Sequence, residues 1–375
     1  MIGSRTYLMH CSTPAEQEKF TKALNDKIGS LKTKPADNKP AATGGGGTTG
    51  GSTATTGGAP AGVGGAGAGG APAAGKDGIK LALESAKNAI PFLGSESEDR
   101  ILEFWQIWTE SIPPSAPEVS VTLVMNTDIS QLSWRVYGPQ NVLIQEMVDF
   151  FWNVGAPEQE IDRLNDVGGL INPLTIGSWI DMSTKGGMDG GWVFPVSVPT
   201  ADALKACDEG LPLTKLTDWT RTHNIEECFT VGRDMGASPP RQTEIRFKIK
   251  GDSFEARFHV ASQAYKEFGF PAIPDNYVAV LRNWNPVAME LSVITSSDGF
   301  VRIGMILPDP DASILAKLCN EQGSNPSQLT TFQGKMKIEK PAFVEFQYLM
   351  ESFGYGVYNE GWNLVFHYRL DPHMF

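Results

Sequence analysis

RQTEIRFKI, residues 241–249, places Thr243, Ile245, Phe247 and Ile249 on one face of an extended chain and Gln242, Glu244, Arg246 and Lys248 on the other. QLSWRVY, residues 131–137, repeats the pattern, with Leu132, Trp134 and Val136 on one side and Ser133, Arg135 and Tyr137 opposite. An apolar face of this kind needs an apolar partner. The charged face is left to point either at bulk water, as in an open sheet, or into the lumen of a closed one.

Working outward from these strands, the chain reads as helical stretches alternating with strand pairs. Helical periodicity marks 79–90, 98–112, 141–154, 201–210, 254–269 and 312–322, and strand pairs lie at 120–138, 174–198, 228–249, 289–307 and 342–370. The five pairs recur roughly every 50 to 60 residues, each separated by helix. Strands joined by short loops are antiparallel, which excludes a βαβ layout. The fold class expected is α+β, with ten antiparallel strands in one closed sheet and helices packed on its outside. The apolar helix stripes favour closure, since they need a sheet surface to cover.

Composition bounds the rest. With 375 residues, 41% of them hydrophobic, size does not limit the core. A net charge of -12 sets the average field against nucleic acid and anionic membranes, so neither is an expected partner. Cys11, Cys207, Cys228 and Cys319 show neither metal-ligand nor disulfide spacing and read as reduced thiols of a cytoplasmic protein. Residues 36–75 are almost wholly Gly, Ala, Thr, Pro and Ser and read as a disordered linker; residues 1–35 carry a short polar helix, and 76–375 form the folded domain.

Chemistry-bearing residues are sparse. Arg135, Arg246, Lys248 and Arg302 share the polar strand faces, and a closed barrel would bring them together as fixed donors suited to a diphosphate. On an open sheet they are solvated surface charges. Trp179, Trp192, Tyr348, Trp362, Phe366 and Tyr368 fall on strands, where they either fill core or turn inward as a cage for a carbocation. The glycines of KGGMDGG (185–191) lie in a hairpin and do not form a phosphate-binding loop, and LPDPDAS (307–313) reads as a helix cap. No DDxxD motif, histidine pair at metal spacing or nucleophile elbow is present.

Several segments together resemble the soluble aromatic prenyltransferases of the NphB and CloQ type. SWIDMSTKGGMDGGWVFP (178–195) is similar to a hairpin of that family, RQTEIRF stands where it has a comparable strand, and SVITSSDGFVRIGMIL (292–307) matches a hairpin whose second strand carries a diphosphate-binding arginine, here Arg302. The resemblance spans about residues 78–371 and implies the ABBA or PT-barrel fold, five ααββ units around a ten-stranded barrel. It implies a transferase that moves a prenyl group from dimethylallyl or geranyl diphosphate to a small aromatic acceptor, acting as a monomer. The carboxylate that holds magnesium in some members falls at Ser133, so no metal and no cofactor is expected, with Arg135 supplying the charge instead. A diphosphate-binding lysine of the second hairpin lacks a direct counterpart, Lys185 being the nearby substitute, and that of the last strand falls near Trp362 or Asn363.

On this reading Arg135, Arg246, Lys248, Arg302 and Lys185 bind the diphosphate, and Ser133, Trp192, Ser292, Ile294, Trp362 and Phe366 line the lumen around prenyl chain and acceptor. Glu244, on the face of Arg246, is the candidate to take the ring proton; the alternative is an ion pair that holds the arginine. A barrel that binds an apolar or isoprenoid ligand without catalysis would need the same lumen.

Overall fold

Antiparallel pairing of alternating strands generates the architecture. The computed structural model describes residues 87–92, 118–139, 144–145, 147–148, 151, 156–171, 175–183, 188–195, 197–235, 241–350 and 361–370. The N-terminal helix, the 36–75 linker, the helix at 98–112 and Lys185 lie outside the described residues.

The strands are β1 (Glu118–Met125), β2 (Ile129–Pro139), β3 (Thr175–Ser183), β4 (Met188–Phe194), β5 (Val198–Pro199), β6 (Glu227–Asp234), β7 (Thr243–Lys248), β8 (Glu290–Ser296), β9 (Gly299–Pro308), β10 (Phe343–Leu349) and β11 (Gly361–Leu370). Their order is β4-β3-β2-β1-β11-β10-β9-β8-β7-β6-β5, and β4 also pairs with β6 from Gly191↔Asp234 to Phe194↔Val231. That pairing closes a barrel of ten strands, with the two-residue β5 set beside β6. Helices α1 (Glu158–Ile171), α2 (Thr200–Leu204), α3 (Leu211–Thr222), α4 (Phe254–Phe268), α5 (Asp275–Trp284), α6 (Ala312–Gln322) and α7 (Pro326–Met336) occupy the connections between strand pairs. The α2–α3, α4–α5 and α6–α7 couples each precede a hairpin, as the ααββ repeat requires.

Local sequence explains where the helices start and stop. Ser253 caps α4 by accepting the Ala256 N–H, and Gly269 ends it at φ 88°, a left-handed conformation that suits glycine. Asp311 caps α6, accepting the Ile314 N–H at 2.8 Å, so LPDPDAS is the helix start its pattern indicates.

The helices cover the apolar strand faces. Trp134, Ile245, Phe247, Val293, Ile303, Phe346 and Phe366 belong to one buried core with Leu216, Ala261, Tyr277, Leu318 and Phe332 of the helices. Each such large side chain stabilises by about 1.5–3 kcal/mol relative to exposure. Tyr265 of α4 donates its hydroxyl to the Phe346 carbonyl at 3.1 Å and stacks on Trp362, and Tyr277 of α5 packs on Phe346 with centroids 4.1 Å apart.

One polar device crosses this interface. Arg233 of β6, on the outer face, donates to both carboxylate oxygens of Glu160 in α1 at 2.5 and 3.1 Å, to Asp208 at 3.0 Å and to Thr243 at 2.5 Å. Its side chain is 1% exposed, so removing it takes a buried cation from Glu160 and Asp208, which among the described residues keep only Arg241 at 3.8 Å and Arg163 at 2.8 Å respectively. Arg233→Ala is expected to cost about 3–5 kcal/mol in urea denaturation; an unchanged midpoint would mean that the network does not pin α1 to the barrel.

Candidate functional site in the barrel lumen

Strand register assigns the inward face without ambiguity. Arg135 pairs with Trp179 across β2–β3, Glu244 with Gly232 across β6–β7 and with Ile294 across β7–β8, and Ile294 with Arg302 across β8–β9. Residues directly opposite share a face, so these form one ring inside the barrel. The next ring holds Thr230, Arg246, Ser292, Gly304, Gln347 and Asn363.

Glu244 is the centre of this arrangement. Its Oε2 accepts from Arg135 Nη2 at 2.7 Å, and its Oε1 from Arg246 Nε at 2.7 Å and from the Ser292 hydroxyl at 3.5 Å. Burial pushes its pKa up, but Arg135, Arg246 and Arg302 outweigh burial and hold the carboxyl well below the usual carboxylate range. It is thus a clamp between two strands, the ion-pair alternative, and a poor proton acceptor at neutral pH. Arg302 is placed differently: its Nε is buried with no hydrogen-bond partner. Such a donor is costly to leave without an acceptor.

Four acidic or basic groups on the inner face had not been singled out by strand chemistry: Glu345, His367, Asp234 and, opposite Lys248 at the start of β8, Glu290. Glu345 of β10 lies over Gly304, its Oε1 in the space a Cβ would need. Its Oε2 is 3.1 Å from Nε2 of His367 on β11, whose Nδ1 is 3.3 Å from the Thr122 hydroxyl. Burial lifts the Glu345 pKa, while the His367 hydrogen bond and Arg302 and Arg246 pull it below the ordinary value. Burial, aided by Arg246 and Arg135, lowers that of His367 despite Glu345, leaving the imidazole neutral at pH 7. Asp234, at the end of β6, is the third. The alternation that exposed the faces of β7 also marks Glu345 and Gln347 in FVEFQYL, and His367 between Phe366 and Tyr368.

A cavity of ≈ 50 Å³ lies at the end of the barrel where β6 ends and β7 begins, lined by Arg135, Trp179, Asp234, Glu244, Ile294 and Arg302 among others. A benzene-sized void is about 150 Å³. The cavity is smaller than such a void.

The expected residues sort as follows. Arg135, Arg246, Arg302, Glu244, Ser133, Ser292 and Ile294 share the inner face, and Trp179 is the strand aromatic that turns inward to the cavity. Trp192, Trp362 and Phe366 do not line the lumen. Trp192 pairs with the outward Arg233 and packs on Phe194; Trp362 stacks on Phe346 at 4.5 Å and on Tyr265 of α4; Phe366 is core. Lys248 does not join the arginines. It is exposed at the opposite end of β7, its Nζ 5.2 Å from the Phe229 ring centre. Among the described residues, no group of three or more His, Cys, Asp or Glu is placed to hold a metal ion, no helix is long and apolar enough to cross a membrane, and Cys207, Cys228 and Cys319 are free thiols.

No protein-family model matches the chain. It is 52% identical over 297 residues, 77% of its length, to a "PH domain-containing protein" of Dictyostelium discoideum, and spans 65% of that relative. Among solved structures it is similar to prenyltransferase PriB (10% identity, 79% of this chain and 97% of that one, TM-score 0.56). It is also similar to 5-dimethylallyltryptophan synthase from Streptomyces coelicolor (9%, 79% and 98%, 0.54) and to 6-dimethylallyltryptophan synthase from Micromonospora olivasterospora, solved with DMASPP and Trp (11%, 80% and 99%, 0.54). At these identities the likeness establishes the PT-barrel fold.

The clamp makes a direct prediction. Glu244→Gln keeps the shape but removes the charge between two inward arginines, and is expected to destabilise the chain by about 3 kcal/mol in chemical denaturation. An unaltered stability would show that the arginines are neutralised elsewhere.

Proposed function

For a chain that shares its barrel with aromatic prenyltransferases, we propose transfer of a prenyl group from an allylic diphosphate, dimethylallyl or geranyl, to a small aromatic acceptor. The observation that carries the reading is the convergence of Arg135, Arg246 and Arg302 around Glu244 inside a closed lumen, with the Arg302 Nε buried and unmatched. All three arginines act on the one carboxylate of Glu244, which leaves the charge immediately around it positive.

Loss of diphosphate develops negative charge on the leaving group, and donors already fixed in place stabilise it without reorganising. Arg302 is the residue best prepared for that contact. Arg135, in the ring of Arg302, and Arg246, in the ring next to it, are both oriented by Glu244. Trp179 on the cavity wall offers a ring face to the allylic cation, and the closed sheet keeps out the water that would quench it. The acceptor ring then attacks the cation and loses a proton.

Metal independence is part of the proposal. Ser133 offers no carboxylate to an ion, although Asp181 is its register partner on β3. A monomer acting in the cytoplasm, with its activity in the 76–375 domain, completes the reading.

Purified protein is to be assayed with dimethylallyl and geranyl diphosphates against indoles, dihydroxynaphthalenes and phenolic acids, with EDTA present. The expected result is a prenylated product that forms in chelator, with kcat lowered by about 10²–10³ in Arg302→Ala. Turnover unaffected by Arg302→Ala would remove the arginine from the mechanism; a strict magnesium requirement would contradict the role given to Ser133; ligand binding without product would favour a non-catalytic carrier.

A further inference from the structure

Asp234 stands apart from Glu244, the other carboxylate that lines the cavity. It closes β6 opposite Gly191 of β4, and Gly232 and Thr230, which alternate with it, face Glu244 and Arg246 of β7. Strand alternation therefore directs it inward, and it lines the cavity together with Arg135, Trp179, Glu244 and Arg302. It is 7% exposed.

Its two oxygens are in different situations. Oδ2 accepts the backbone N–H of Gln242 at 2.9 Å, while Oδ1 is buried with no hydrogen-bond partner. Glu244, one strand away, has both oxygens engaged by arginines. A buried carboxylate oxygen without a donor is unfavourable for folding, and such groups concentrate where a site uses them.

The surroundings tune the group. Burial raises its pKa to about 7, opposed by Arg241, the Gln242 N–H and Arg233, and reinforced by Glu160 of α1. Across the cavity it faces Glu244 of β7, Arg135 of β2 and Arg302 of β9. No other carboxylate lining this cavity is both without a donor on one oxygen and poised to exchange a proton near neutrality.

We propose that Asp234 is the catalytic base that takes the proton from the prenylated ring, in place of Glu244. The inference rests on the prenyl-transfer reading. The allylic C–O bond breaks with its electron pair leaving on the diphosphate, a bond forms between the ring and the prenyl carbon, and the ring C–H bond then breaks. That pair restores the aromatic system, and the proton passes to Oδ1 of Asp234. A proton acceptor that titrates near the working pH is the efficient choice for such a step.

The test compares pH–rate profiles of the wild type, Asp234→Asn and Asp234→Glu, using dimethylallyl diphosphate and whichever of indole, dihydroxynaphthalene or 4-hydroxybenzoate the wild type prenylates. Expected are a wild-type kcat that rises with pH through a limb near 7, and a fall of about 10² in kcat for Asp234→Asn. In that variant the limb is gone and the KM for the diphosphate is unchanged, and Asp234→Glu recovers part of the rate. Persistence of rate and limb in Asp234→Asn overturns the inference, as does a rise in diphosphate KM with kcat intact.

Thermal midpoints supply a readout that needs no turnover. A carboxyl whose folded pKa is raised contributes stability that is complete below its unfolded value, about 4, and is lost as pH climbs through about 7. The wild-type midpoint should therefore fall relative to Asp234→Asn between those pH values, and parallel curves would overturn the assignment. A wild type that prenylates none of the acceptors defeats the prenyl-transfer reading and this inference with it, whereas an active wild type matched by Asp234→Asn defeats this inference alone.

Discussion

Closure of the sheet between β4 and β6 is the constraint on which everything else depends. An open sheet would leave Arg135, Arg246 and Arg302 in water, where each is an ordinary surface charge. Closure puts every second residue of ten strands into one narrow space. Charge in that space has to be matched or left ready for a ligand. Both outcomes occur side by side. Glu244 satisfies Arg135 and Arg246 through hydrogen bonds of 2.7 Å, and the Arg302 Nε is left unmatched. The outer face is governed by the opposite rule, so that apolar side chains meet helices and a deeply buried cation, Arg233, is surrounded by Glu160, Asp208 and Thr243.

The clamp changes what the lumen is. Four free cations would attract any anion. Two arginines locked to a glutamate, a third whose Nε is unmatched, and a His367–Glu345 pair nearby give a site whose charges are mostly paired with one another and held in defined geometry. A lumen whose charges are largely internal is stable without its ligand, and it gains less from a diphosphate than an unneutralised one would.

Much of this was legible in the sequence because a strand has a period of two. RQTEIRFKI and QLSWRVY separated inner from outer face correctly, and the repeating hairpins gave the strand count. The failures came where chemistry was allowed to replace period. Trp362 and Phe366 alternate with Asn363 and His367, so parity alone sends them outward to Tyr265, Phe346 and the core. Trp192, between Gly191 and Val193, shares the outer face with Phe194 and with its register partner Arg233. Lys248 has the inward parity of Arg246, but one more step of i, i+2 carries it out of the far end of the barrel, a distance no residue pattern encodes. The roles of Glu244 and Asp234 depend on which neighbours lie within 3 Å across strands distant in the chain, and that is register, which only the folded barrel supplies.

Similarity of fold at 9–11% identity rests on this alternation rather than on individual side chains, so the barrel can be shared while the contents of its lumen differ. The most direct examination of the central claim is a crystal structure of the chain with dimethylallyl thiolodiphosphate in the presence of EDTA. The account predicts the diphosphate inside the barrel, hydrogen-bonded to Arg302 and within reach of Arg135, with the Glu244 clamp intact. Density for the diphosphate outside the barrel, or none at millimolar concentration, would contradict it.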